Sequence, residues 1–371
     1  MVSASTLNVV QNEFVKIVIG PEGFDQGRFS IETTGGDPSR NNDDNLPLIY
    51  GRPKPWTSYT TIAINNTNFG FGTQTIKRAG KKARYGQVVS KEILDDGIVM
   101  KSQLDDVYVT QSLLFFRNPF TNVKDSVLIE YHVFNNSNQA KNIGLRVMMD
   151  TMLGKNDAAP FRIGDEAIVS ERAFEGSDIV DFWQSFDSLA TPNIIAQGVL
   201  RYSPAGLTPP DQLILMNWGT LADQPYKVPI SEGRSFIRDG ETEPDTALAL
   251  LWDQQQLGPK KSRIYRTVMG MGGISLAPGD LALGLSAPTE LAITDPNEYL
   301  IIAYISNTGG FSANDSVATI QLPNGLELIQ GDKNIELGTI LPNGSRQLLY
   351  KVKIDPKNVR EGIHEINLFI K

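Results

Sequence analysis

Apolar side chains recur at every second position along most of this chain, and no other feature narrows its possible folds as much. In residues 347–355, Leu348, Tyr350, Val352 and Ile354 alternate with Leu349, Lys351, Lys353 and Asp355. That rhythm predicts a strand with one face in a core and one in water. Residues 14–19, 107–116, 127–134, 143–151, 246–252, 263–269, 299–306, 317–322 and 364–370 repeat the device. Turn clusters such as Asn135-Asn136-Ser137-Asn138, Pro278-Gly279-Asp280 and Pro323-Asn324-Gly325 separate the runs.

Many short strands with turns between them predict layered sheets rather than strand–helix alternation, so the fold class is all-β. The best helical segment is 177–189, where Phe182, Phe186 and Leu189 share a face at helical spacing before Thr191-Pro192 stops it. Residues 90–96 allow one further turn. All four Trp, at 56, 183, 218 and 252, fall before a turn-rich stretch at 273–289. The expected division is a large two-sheet β domain over residues 1–280 and a small immunoglobulin-like β-sandwich over 281–371.

Composition excludes whole classes of chemistry. Among 371 residues there is no Cys and only 2 His, which removes disulfides, thiolate metal sites, cysteine nucleophiles and multi-imidazole centres. Any catalysis would rest on carboxylates, Arg, Tyr or backbone groups. Lys and Arg total 34 against 42 Asp and Glu, a net charge of −8, so nucleic acid is not an expected partner. No apolar run approaches the roughly 18–20 residues that span a bilayer. Met1–Leu7 lacks the regions of a signal peptide. No motif calls for a cofactor or a metal: GxGxxG, Walker and GxSxG patterns are all absent.

One place brings an acid, an imidazole and a guanidinium within reach. If strand 127–134 pairs with strand 143–151 through the Asn135–Asn142 turn, Glu130, His132, Arg146 and Asp150 share a face. As chemistry, Glu130 or Asp150 would be the base and His132 its proton partner. As plain structure, they form a solvated sheet face with cross-strand charge pairs, which is the favoured reading. Trp183 and Trp218 are candidate stacking platforms for sugar rings, weighed against ordinary core packing. His364 is placed on the last strand as a tolerated residue. The stretch with Asp37, Asn41, Asn42, Asp43, Asp44 and Asn45 is rich in oxygen ligands but fails the EF-hand spacing, so it reads as a polar loop. Lys77, Arg78, Lys81, Lys82 and Arg84 read as a solvated hairpin tip rather than a polyanion site.

Residues 298–309 (EYLIIAYISNTG), 318–328 (ATIQLPNGLEL) and 337–345 (LGTILPNGS) resemble bacterial surface Ig-like modules of the CARDB type. Residues 144–157 (GLRVMMDTMLGKND) with Pro160-Phe161, and 245–252 (DTALALLW) leading to Leu257-Gly258-Pro259, resemble a group of bacterial surface or secreted β proteins. Their broader shape is similar to the galactose-mutarotase-like supersandwich, whose catalytic His and Glu match no motif here. Together the resemblances imply a supersandwich-like domain followed by the Ig-like module. The expected function is a non-catalytic surface or secreted binding or structural protein engaging carbohydrate or cell-envelope components. The alternative is a carbohydrate-active enzyme, epimerase- or glycoside-processing-like, using the face around Glu130 and His132.

Overall fold

The structure, a computed structural model, describes residues 7–371 except 36–41, 119–122, 165, 191, 202–205, 273–275, 278–280, 309–311 and 342–343. Among the described residues it is built almost wholly of antiparallel strands, with one α-helix, Trp218–Asp223. Two large sheets form the body. One has nine strands, in the order Glu166–Ile168, Phe161–Ile163, Phe182–Phe186, Ile195–Val199, Ser262–Met271, Ser126–Asn135, Val107–Phe116, Gly97–Leu104, Gln87–Leu94. The other has seven: Arg172–Glu175, Gln212–Asn217, Thr246–Leu257, Lys141–Asp150, Tyr59–Ile64, Thr67–Gly70, Arg84–Tyr85. Their facing sides share one core, in which Val109, Ile129, Val133 and Met269 meet Ile62, Leu145, Val147 and Leu250. This is the sandwich that the alternating pattern predicts. A three-stranded sheet, Asn8–Gln11, Val15–Ile19 and Phe29–Thr33, packs into the same core.

Inside this core, the Tyr131 hydroxyl has both its neighbours in place. Tyr131 Oη lies 2.6 Å from Thr60 Oγ1 and accepts from Gln111 Nε2 at 2.7 Å. Burial pushes its phenol up to about 12.

Downstream lie two smaller sheets. Leu276–Ala277, Leu281–Ser286, Glu298–Asn307, Ser345–Ile354 and Leu326–Gln330 form one, and Asn334–Ile340, Ala313–Gln321 and Asn367–Ile370 the other. The Glu298–Asn307 strand is apolar on both faces because each face has its own cover. Tyr299, Ile301 and Ala303 join Ile320, Tyr350 and Val352 in a core between the small sheets. Ile302 and Tyr304 point the other way, against Phe182, Val199, Val268, Phe186 and Ile195 of the nine-stranded sheet. Polar contacts close that seam: Gln347 Nε2 donates to Gln184 Oε1 at 2.9 Å, and Tyr304 Oη donates to the Leu189 carbonyl at 2.6 Å.

Three local expectations are corrected. Residues 177–189 hold a 3-10 turn, Gly176–Asp178, and the strand Phe182–Phe186 instead of a helix. Positions four apart share a face in a strand as well as in a helix, so Phe182 and Phe186 fit both. Residues 90–96 belong mostly to the edge strand Gln87–Leu94. The last strand begins at Asn367, leaving His364 in a loop. Among the described residues no helix is long and apolar enough to cross a membrane.

Candidate functional site

The predicted hairpin between the strands of Glu130 and Arg146 does not form. Ser126–Asn135 pairs with Val107–Phe116 and Ser262–Met271, while Lys141–Asp150 pairs with Tyr59–Ile64 and Thr246–Leu257 in the other large sheet. The chain crosses between sheets at Asn135, and a second crossing at Gly258 to Lys261 lies against it. Asn135 Nδ2 donates to the carbonyls of Gln139, Leu257 and Gly258, and its backbone exchanges hydrogen bonds with Lys260 and Lys261. Glu130 and His132 therefore sit on the outer side of one layer, Arg146 and Asp150 on the outer side of the other. The four do not converge.

Around Glu130 and His132 the outer side of the nine-stranded sheet is ordered by register. One cross-strand row reads Gln103, Tyr108, Phe134, Ser262; the next Lys101, Thr110, His132, Ile264; the next Val99, Ser112, Glu130, Arg266. Glu130 is ion-paired with Arg266, and the Lys101 ammonium lies 4.7 Å from the Tyr108 ring centroid. The following row turns apolar, with Leu128 beside Val268, and packs under Leu300 and Ile302 of the small sheet. The small sheet thus covers the apolar rows and leaves the polar and aromatic ones half-buried at the surface.

Arg146 is fully buried beneath the helix Trp218–Asp223 and the segment after it. Its guanidinium donates to the Tyr226 and Leu221 carbonyls, both at 3.2 Å, and to Tyr59 Oη. Burial without a carboxylate lowers its pKa. Neither predicted Trp offers a free ring face. Trp183 is wholly buried, packed on Gly198, where a Cβ would come within 2.2 Å of the indole. Trp218 is buried edge-to-face on Trp56 under the Arg78 guanidinium. Arg78 is also bound two-pronged to Asp223 at 2.8 Å, and Lys77 lies over Trp56, so the basic stretch is partly consumed by structure. His364, exposed, donates to the Arg360 carbonyl and lines a cavity of about 600 Å³ at one end of the small sheets. Of the oxygen-rich loop, Asp37 and Asn41 lie outside the described residues. The Asp43 carbonyl accepts from Thr33 Oγ1.

Asp150 finds different company. It ends the strand Lys141–Asp150 and stands opposite Ala247, two residues after Asp245, which precedes Thr246–Leu257. Asp157, in the loop after the Leu153–Asn156 bridge, joins them through its carbonyl, which accepts from Thr246 N at 3.0 Å. One carboxylate oxygen from each of Asp150, Asp157 and Asp245 lies within 4.8 Å of the others. Asp150 is 3% exposed, and its Oδ1 and that of Asp245 are buried without a hydrogen-bond partner among the described residues. Asp157 is open to solvent.

The charges in this cluster oppose one another. Desolvation and the Asp245 charge drive the Asp150 carboxyl well above the usual carboxylate range. The nearby Thr57 hydroxyl favours its charged form without making a hydrogen bond of good geometry. Desolvation, with Asp157 and Glu241, pushes Asp245 up to about 7, against the pull of Arg78; burial raises Asp157 too. Two like charges at such a separation repel on the order of 3 kcal/mol at an effective dielectric constant of about 20. No motif or spacing singles this cluster out, because Asp157 follows Asn156 in a loop and Asp245 lies just before the strand Thr246–Leu257.

No protein-family model matches the chain, and no curated protein sequence matches it. Solved structures similar to it include a galactose mutarotase-like protein from Lactobacillus casei, at 8% identity over 72% of this chain and 100% of that one, with a TM-score of 0.40. An aldose epimerase homologue from C. elegans is similar at 9% identity over 72% and 99%, with a TM-score of 0.42. A polysaccharide lyase is similar at 8% identity over 95% of this chain and 47% of that one, with a TM-score of 0.38.

Proposed function

We propose that this chain is a non-catalytic binding protein of the cell surface or exterior, and that its ligand is a carbohydrate of the cell envelope or its surroundings. The observation that carries the reading is the uncovered part of the nine-stranded sheet. Tyr108, Phe134 and His132 supply ring faces there, beside the hydroxyls of Thr110 and Ser112 and the Glu130–Arg266 pair. Sugar rings match such a surface because their C–H faces stack on aromatic rings while their hydroxyls exchange hydrogen bonds with polar neighbours. The small sheets, read as an Ig-like module over 281–371, bury the apolar end of the same face.

The competing reading, a carbohydrate-active enzyme acting through Glu130, His132, Arg146 and Asp150 together, needs a convergence that the two-layer arrangement prevents. A glycan array probed with the wild-type chain and with Tyr108→Ala/His132→Ala tests the proposal. Saturable glycan binding that falls at least about tenfold in the double variant is expected. Binding by neither protein, or equal binding by both, would remove the sheet face from consideration.

A further inference from the structure

We infer that Asp150, Asp157 and Asp245 form a binding site for a hard divalent cation, with calcium the best-matched ion. The assignment is independent of the carbohydrate reading, since the cluster lies on the other large sheet. Three acidic residues alone would say little. What points to a ligand is Asp150, almost wholly buried, which brings a carboxylate oxygen within 4.8 Å of one from each of the other two and whose Oδ1 has no hydrogen-bond partner among the described residues. Asp245 Oδ1 is in the same condition, and the buried Thr57 hydroxyl, which favours the charged form of Asp150, lies beside that residue. Buried polar atoms of a native protein are nearly always matched, so two unmatched carboxylate oxygens at one point call for a partner from outside the chain.

The protein's own cations do not fill that role. None of the ion pairs among the described residues includes Asp150, Asp157 or Asp245. Arg78, whose charge reaches Asp245, already grips Asp223. The backbone around the cluster is nevertheless fixed. Asp150 N donates to Ser58 Oγ at 2.9 Å, its carbonyl accepts from Tyr50 N, Asp245 N donates to the Phe236 carbonyl, and the Asp245 carbonyl accepts from Trp218 N. Carboxylates so held need little rearrangement to meet an ion, and exposed Asp157 provides the approach from solvent.

The donor chemistry selects the ion. All candidate ligands are oxygens, and both His residues lie elsewhere, which suits calcium, magnesium or manganese rather than zinc or copper. Calcium accepts irregular, partly hydrated oxygen shells, whereas magnesium demands near-octahedral geometry, so a three-carboxylate site completed by water fits calcium better.

The test uses the full chain after chelator treatment, titrated calorimetrically with calcium chloride and, in parallel, with magnesium and manganese chloride. One saturable calcium site is expected, with a dissociation constant of about 10⁻⁵–10⁻³ M. Asp245→Asn and Asp157→Asn should each weaken it at least tenfold, and Glu130→Gln, on the opposite layer, should leave it unchanged. Asp157 is exposed, so its variant keeps the test valid even where a change at Asp150 prevents folding. No saturable binding of any of the three ions by the folded wild-type chain overturns the assignment. So does calcium binding that persists unaltered in both Asp variants.

Discussion

The two large sheets carry charge on their outer sides in opposite ways. On the nine-stranded sheet, Glu130 lies directly across from Arg266 and is paired with it. On the seven-stranded sheet, Arg146 is satisfied by carbonyls and a phenol, and Asp223 beside it is gripped by Arg78 and Arg238. Asp150, Asp157 and Asp245, at the end of that sheet, lie together and share in no ion pair among the described residues. A carboxylate whose partner folds with it is part of the architecture. One left without a partner holds its neighbourhood in an unfavourable state until a proton or an ion arrives.

The largest effect expected from this contrast is at Arg146. Replacing it by Ala strands the Tyr226 carbonyl in the interior, leaves the Leu221 carbonyl to the Tyr59 hydroxyl alone, removes the donor that hydroxyl accepts from, and opens a cavity beneath the helix. Unmatched buried groups and lost packing together make a cost of about 3–5 kcal/mol. Denaturant unfolding of Arg146→Ala measures it, and a loss below about 1 kcal/mol would mean that the guanidinium is not held as described.

Next comes the pH dependence of the cation-free chain, where matched and unmatched acids differ in sign. Asp223, lowered to about 2 mainly by Arg78, adds stability that is complete above its ordinary value of 3.8 and lost as pH falls through about 2. Asp245 behaves in reverse. Below 3.8 it is protonated in both states; between 3.8 and about 7 the unfolded chain releases a proton that the folded chain keeps. Stability then falls as pH rises, by about 1.4 kcal/mol per pH unit for that one group. Unfolding midpoints in a chelator should therefore drop between about pH 4.5 and 7, and saturating calcium should flatten the slope. A midpoint that climbs over that interval without cation would show that the cluster is not strained.

Alternation exposed the strands because a two-residue period reports which face of a strand is buried. It does not report which strand lies alongside. Within the alternating run 127–134, Val127, Ile129, Tyr131 and Val133 fall at every second position and are buried. Yet the neighbour of their strand is fixed by how five residues after Asn135 cross a sandwich, which no local pattern encodes. Arg146 looked solvated for a related reason: its cover, the helix and loop holding Leu221 and Tyr226, lies some 75 to 80 residues away. The acidic cluster was hidden in the same way, since Asp245 reaches Asp150 only through the register of Asp150 with Ala247.

The smallest effect belongs to Glu130. Its partner Arg266 sits on the adjacent strand, and both side chains reach solvent, 19% and 32% exposed. Water and salt screen such a pair, and a Gln keeps the shape and one acceptor, so Glu130→Gln should cost no more than about 1 kcal/mol and less at high salt. The same substitution should leave the unfolding midpoint's pH slope between about 4.5 and 7 unchanged, because Glu130 contributes nothing to the Asp245 neighbourhood. A loss several times larger, insensitive to salt, would instead mean that Glu130 and Arg266 form a buried, specifically matched pair. The distinction between the two layers would then rest on burial alone and no longer on whether a charge has a partner.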